Sequence, residues 1–283
     1  PKATHNGISF IDALFTSTSA VCVTGLIVVD TGTYFTLFGQ SVILFLIQIG
    51  GLGILTFASY FSYFFKGGSS YENQLTLSEM TNSQKVSDVF STLKNIIVIT
   101  ATVELVAAIL IFFSLDKSLI TNFSDKAFFS VFQAISSFCN SGFSTLNTII
   151  YETGFRFNYA LQLIIIATFV LGGLGFPIVV NIISFVKHKI VNIFRFNSKA
   201  KKHKPWVLNI NSRITLVTTL SLTAIAFILF LILEYNNTLA EHSFFGKLVN
   251  ALFGAATPRT AGFNSIDMTA LAFPTVMITF LLM

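Results

Sequence analysis

The sequence predicts an all-α membrane protein made of tandem units, each an outer helix, a re-entrant loop behind a short helix, and an inner helix. Three observations lead there. The first is composition: 53% of the 283 residues are hydrophobic and 10% charged, where a soluble domain carries about 25% charged residues. The second is run length. Apolar stretches at 41–65, 96–115, 159–186 and 214–233 each reach the roughly 20 residues needed to cross hydrocarbon, and a fifth begins near 269. The third is an internal period. A short apolar run ends in small and hydroxyl residues and then a glycine at Gly25 in TSTSAVCVTGL, at Gly142 in SSFCNSGF and at Gly262 in ATPRTAGF, with offsets of 117 and 120 residues.

Charge sets the topology. Of 17 Lys and Arg, eight fall in the acid-free linker 187–213, which the positive-inside rule makes cytoplasmic. The polar linker 66–94, with three Lys, is assigned to the same side. Two cytoplasmic linkers need an even number of crossings between them, and 96–115 and 159–186 supply two. The apolar segment 128–138, about 16 Å if helical, therefore enters and leaves on the outer side as a re-entrant loop. Non-helical backbone at that depth survives where it is buried in protein or lines a watery cavity. The basic cluster KAKKHKPW is read as a topology signal or contact with membrane lipid, not as a nucleic-acid site.

In order, residues 1–65 form the first unit, 66–186 the second and 187–283 the third. The first unit has a short helix from about Phe10 to Val21, with Ser9 and Asp12 at capping spacing, then CVTGL and the inner span 41–65. The second has outer span 96–115, a short helix from about Asp125 to Phe138, CNSGF, and inner span 159–186. The third has outer span 214–233, a short helix from about Phe244 to Ala256, RTAGF and an inner span. Ten residues before each glycine stand Phe15, Phe132 and Leu252, and six before stand Ser19, Ser136 and Ala256. The pattern predicts large side chains packing outward and small ones inward. QIGGLGILT at Gly50 and LGGLGFPIV at Gly172 echo one another in the inner spans, and predict close helix packing, with a hinge or gate near Pro177 as the second reading.

Three such loops suit passage of a cation. Carbonyl rings exchange for a hydration shell without placing full charges in the membrane, and glycine permits the angles that turn successive carbonyls toward one axis. The short helices would aim the partial negative ends of their dipoles at the cavity below.

SAVCVTGL with TGTYFTLFGQ and QIGGLG, then FCNSGFS with GGLGFP, then RTAGFNS, resemble the pore subunit of the TrkH/KtrB family of potassium uptake proteins, in the superfamily of plant HKT transporters. The resemblance implies a pore like that of a tetrameric potassium channel, folded from four units in one chain. It implies a bacterial cytoplasmic membrane, multi-pass. By it, this chain would lack the first outer helix, the end of the third inner helix, and the fourth unit with the family's pore arginine. Carried over, the selectivity filter comprises Val23, Thr24 and Gly25; Asn140, Ser141 and Gly142; and Thr260, Ala261 and Gly262, with the potassium ion as permeant and no cofactor. Glycine in all three filter positions favours potassium, since serine at the first goes with sodium transport in the family. A homodimer on a cytosolic nucleotide-binding regulatory ring of the TrkA/KtrA kind is implied too, with 187–213 as part of the docking face.

Single residues have structural readings first. Glu104, mid-span, is expected to accept hydrogen bonds behind a pore loop, with a direct part in ion passage as the alternative. Arg259 is expected to pair with an acid or with carbonyls behind its loop. Cys22 and Cys139 occupy equivalent positions and read as packing sites. The four His are expected to be solvated, and Asp30, Asp116, Asp125, Glu152, Glu241 and Asp267 to lie outside, where diffuse negative charge enriches cations. The alternative function is a secondary, sodium-coupled cation transporter using glycine-broken half-helices. No converging nucleophile and base inside the spans suggests an enzyme.

Overall fold

The computed structural model describes residues 2–5, 7–53, 89–116, 119–146, 149–152, 154–175, 178–179, 210–259 and 261–283. Most of both polar linkers, Pro177 and Thr260 lie outside these. The regular elements among the described residues are helices, apart from one bridge pairing Thr4 with Phe35.

The first unit contains α1 (Phe10–Val21), a one-turn α2 (Thr31–Tyr34) and α3 (Leu37–Leu52). The second contains α4 (Val89–Ser114), α5 (Phe123–Phe138) and α6 (Tyr159–Gly173), and the third α7 (Ile210–Glu234), α8 (Phe244–Ala256) and α9 (Phe273–Leu282). The short helices α1 and α8 match the sequence reading, while α5 starts two residues earlier. Two stretches in the described residues, Lys94–Ser114 and Arg213–Glu234, are helices long and apolar enough to cross a membrane. On α7, Leu220, Ile225, Ile228 and Ile232 are all more than half exposed, a face that suits lipid.

The inner helices differ from the expected spans, except that α6 starts at Tyr159 as expected. α3 begins at Leu37, because Thr36 caps it by accepting from Gly39 N (3.3 Å), and α6 begins at Tyr159 beneath Asn158, which accepts from Leu161 N (3.0 Å). Neither 41–65 nor 159–186 is one continuous helix. α3 stops before Gly53 (φ 85) and α6 before Gly175 (φ 81). A left-handed glycine ends a helix there because it has no Cβ to clash with the backbone.

The first glycine of each motif serves packing. A Cβ on Gly50 would overlap the carbonyl of Val21, the last residue of α1, and one on Gly172 would overlap the carbonyl of Phe138, the last residue of α5. Each inner helix thus touches the C-terminus of its own short helix. Gly172→Ala is expected to force these helices apart and cost about 1–3 kcal/mol, read as a lower midpoint in thermal unfolding of the purified protein.

Inner helices also receive the next unit. Phe132, fully buried, packs with Ile43 and Ile47 of α3, and Leu252 packs against the cluster containing Leu161, Ile165 and Phe169 of α6. Outward, for the large residue ten before the glycine, thus means into the preceding unit's inner helix. Phe15, with no such neighbour among the described residues, is 43% exposed. The small residues six before, Ser19, Ser136 and Ala256, are buried as expected.

Candidate functional site, three converging glycine loops

α1, α5 and α8 all end just before a glycine loop, and the loops meet. A Cβ placed on Gly142 would lie 3.6 Å from the Cα atoms of both Gly25 and Gly262 and 3.2 Å from the carbonyl oxygen of Ala261. One placed on Gly25 would lie 2.5 Å from the carbonyl oxygen of Ser141. All three glycines are left-handed, at φ 75, 71 and 70.

The backbone repeats beyond glycine. Val23 and Asn140, two residues before their glycines, are also left-handed, at φ 55 and 56. Asparagine tolerates this conformation, but for a β-branched residue it is an outlier that costs about 1–3 kcal/mol. Val23 keeps it because the chain is bonded on both sides: Val23 N donates to Ala20 O (3.3 Å) and Thr24 N to Ser19 O (3.0 Å). Asn140, with its amide oriented to satisfy both neighbours, donates to Phe169 O and accepts from Gly173 N, each at 3.0 Å. That bridge ties the second loop to the end of α6.

Serine hydroxyls hold the first two loops from behind. Ser19 Oγ donates to Leu26 O (2.7 Å), and Ser136 Oγ to Phe143 O (2.5 Å). Thr24 Oγ1 returns to Ser19 O (3.2 Å), while Ser141 Oγ and Ser136 Oγ lie 2.7 Å apart. The third loop has Ala256 and Ala261 at these positions.

Glu104, 8% exposed, accepts from Gln48 Nε2 (3.3 Å), joining α4 to α3. Cys139 Sγ sits where Gly51 would carry a side chain, a packing contact, whereas Cys22 is exposed. Arg259 is half-buried and reaches the outer helix, donating to Thr219 O (3.4 Å) and Thr219 Oγ1 (3.2 Å); no acid pairs with it among the described residues. His242 is not solvated. It is 8% exposed, its ring lies tilted against that of Phe157, and its Nδ1 lies 3.3 Å from Tyr159 Oη. Burial first, and then the Arg156 charge, hold it below the usual histidine range. Several outer acids have structural partners: Glu241 pairs with Arg156 (2.8 Å), Asp125 accepts from Asn122 (2.9 Å), and Asp267 accepts from Thr269 N (2.9 Å).

Comparisons with known proteins show the family of the chain. A family model described as TrkH, cation transport protein, matches residues 2–283. The chain belongs to the TrkH family. Two curated relatives carry the likeness at sequence level. The chain is 36% identical over 286 residues to the Ktr system potassium uptake protein B of Bacillus subtilis, covering all of this chain and 59% of the relative. It is 34% identical over 285 residues to the potassium/sodium uptake protein NtpJ of Enterococcus hirae, covering all of this chain and 57% of that one. The chain thus spans somewhat over half the length of these relatives. A crystal structure of the potassium transporter TrkH from Vibrio parahaemolyticus, 18% identical, matches 97% of this chain and 49% of its own with a TM-score of 0.60. At that identity the match shows the fold alone, an all-α membrane protein of repeated units.

Within this TrkH-family chain, sequence reasoning missed three kinds of residue. The serine ties stand at one spacing in two units, a signal legible once the glycines are aligned. Val23 in a left-handed conformation has no sequence signal, because valine is what an extended strand would also carry. Glu234 was also missed. It is fully buried at the end of α7 and accepts from five donors: Ala272 N (2.9 Å), Thr275 Oγ1 (2.6 Å), Asn237 Nδ2 (2.9 Å), Thr238 Oγ1 (2.8 Å) and Thr238 N (3.4 Å). Acids at helix ends are common, so nothing marked it.

Proposed function

We propose that the chain supplies three of the loops of a potassium uptake pore, with Val23–Gly25, Asn140–Gly142 and residues 260–262 as selectivity-filter backbone and potassium as the permeant ion. The observation that carries this reading is the convergence of Gly25, Gly142 and Gly262 on one another at matching left-handed angles. Carbonyls held this way replace a hydration shell, and the C-terminal ends of α1, α5 and α8 add partial negative charge beside them. Fixed carbonyls fit a weakly hydrated monovalent ion, which enters and leaves without meeting a full opposite charge in the membrane. The printed functions of the two relatives, potassium uptake and potassium/sodium uptake, support the same substrate class.

The second name favours a further reading, in which sodium passes or is coupled as well. Glycine in all three positions, the residue compatible with φ near +70, supports potassium as the selected ion. The bacterial cytoplasmic membrane, a homodimer, and a cytosolic nucleotide-binding ring that docks on 187–213 complete the proposal. The test is uptake. A host deficient in potassium transport, given the full-length protein, is expected to grow at low potassium and to accumulate rubidium in preference to sodium. Protein present in the membrane with no uptake above the host background would end this reading.

A further inference from the structure

The three loops are not held alike. In the first two, the residue six before the glycine is a serine whose hydroxyl bonds the carbonyl just after the glycine, and the residue one before is a threonine or serine that folds back on it. The backbone closes the same turn in both: Thr24 N donates to Ser19 O (3.0 Å) and Ser141 N to Ser136 O (2.9 Å). In the third loop alanines stand at both positions, and the turn is different. Ala261 N donates to Thr257 O (3.0 Å), one residue later in register, and the helix runs on as a 3-10 turn over Thr257–Arg259.

That extra turn presents the residue three before the glycine, Arg259, where the other loops have Cys22 and Cys139. Its guanidinium is directed to the outer helix, onto the carbonyl and hydroxyl of Thr219. Gly262, by contrast, faces the Cα of Gly142. The side chain is therefore anchored on the side away from the neighbouring loop. A planar guanidinium offers several donors in a fixed fork, so it can fix the loop's setting against α7 as a serine hydroxyl does within its own loop.

We infer that Arg259 is a positioning residue for the third loop, setting its carbonyls through Thr219 in place of the paired hydroxyl ties of the first two loops. This rests on the pore reading proposed above.

The test uses the full-length protein and reads two quantities, the rubidium-to-sodium uptake ratio and the amount of protein in the membrane. Arg259→Gln is expected to lower the ratio about tenfold, a change of about 1.4 kcal/mol in discrimination, at parental protein amount. Arg259→Lys falls between the two. Thr219→Val lowers the ratio less, and adds nothing in the Arg259→Gln background, since the two act through one contact. Ala256→Ser with Ala261→Ser, added to Arg259→Gln, rebuilds the tie of the other loops and raises the ratio again. Should Arg259→Gln fail to reach the membrane, Thr219→Val, which deletes a single hydroxyl, carries the test. An unchanged ratio in both single variants overturns the inference, and so does a ratio that the added serines leave where Arg259→Gln put it. Gly25→Ser, measured alongside, separates the causes: if it too leaves the ratio unchanged, the pore reading itself has failed.

Discussion

Gly25→Ser is expected to lower the rubidium-to-sodium uptake ratio by about tenfold or more. Two costs combine. Serine at φ 75 takes a conformation that costs an L-residue about 1–2 kcal/mol. The new Cβ also falls 2.5 Å from the carbonyl oxygen of Ser141, so something must move. Ser141 cannot yield freely: its N–H is bonded to Ser136 O (2.9 Å), and Ser136 Oγ also holds Phe143 O. The substitution in the first loop therefore displaces carbonyls in the second. The geometry further ranks the three glycines. Alanine at Gly142 would meet Ala261 O at 3.2 Å, and at Gly262 its nearest neighbour is Gly142 Cα at 3.7 Å. Selectivity loss should fall in the order Gly25→Ala, Gly142→Ala, Gly262→Ala. Equal effects at all three would mean that left-handed strain alone matters and that the close approach between loops does not.

Glu234→Ala is expected to cost about 3 kcal/mol or more of stability, measured as a lower thermal midpoint in detergent at constant lipid. The carboxylate, itself fully buried, accepts from the backbone and side chains of Ala272, Thr275, Asn237 and Thr238, of which Thr275 is fully buried as well. A hydrogen bond to a charged group is worth about 1.5–3 kcal/mol, and deletion leaves the fully buried Thr275 hydroxyl without this acceptor. Its position explains why one residue matters this much. In the first two units the inner helix carries its own cap, and that cap also ties to neighbouring backbone: Thr36 Oγ1 donates to Lys2 O (2.9 Å) and Asn158 Nδ2 to Ser114 O (2.8 Å). In the third, Ala272 stands at the cap position and has no side chain to offer. Glu234 instead holds the start of that helix from the end of the outer helix, through Ala272 N and Thr275 Oγ1. Glu234→Gln keeps the shape but turns an amide toward donors, and should lose roughly half as much. A variant as stable as the parent would show that water replaces the carboxylate at this joint.

Much of the fold was legible because it follows from local rules. Ser9 marks the start of α1, and the glycine loops mark the ends of α1 and α8, so both helices were read correctly; in the structure Ser243 caps α8 in the same way. The inner helices were misread for a physical reason. Hydropathy reports which residues can face lipid, whereas a helix starts where its first N–H groups find an acceptor: α3 begins at Leu37, ahead of the apolar run from 41, because Thr36 accepts there, while α6 begins at Tyr159 where it was read. It also cannot see that Gly53 and Gly175 turn left-handed, since the apolar run continues past both. His242 was misjudged because a polar stretch was taken to be solvated, yet Phe157 and Tyr159 from the second unit cover it.

By itself, the sequence determined that the chain is an α-helical membrane protein of repeated units, and it located the glycines those units share. Composition, run length and spacing are one-dimensional, so they survive without coordinates. Only the tertiary structure decided how the loops are held: serines in two, Arg259 beside alanines in the third, Val23 kept left-handed, and Glu234 serving a helix 38 residues away. Those are contacts between segments far apart in the chain, and their energies depend on distances that residue order does not encode.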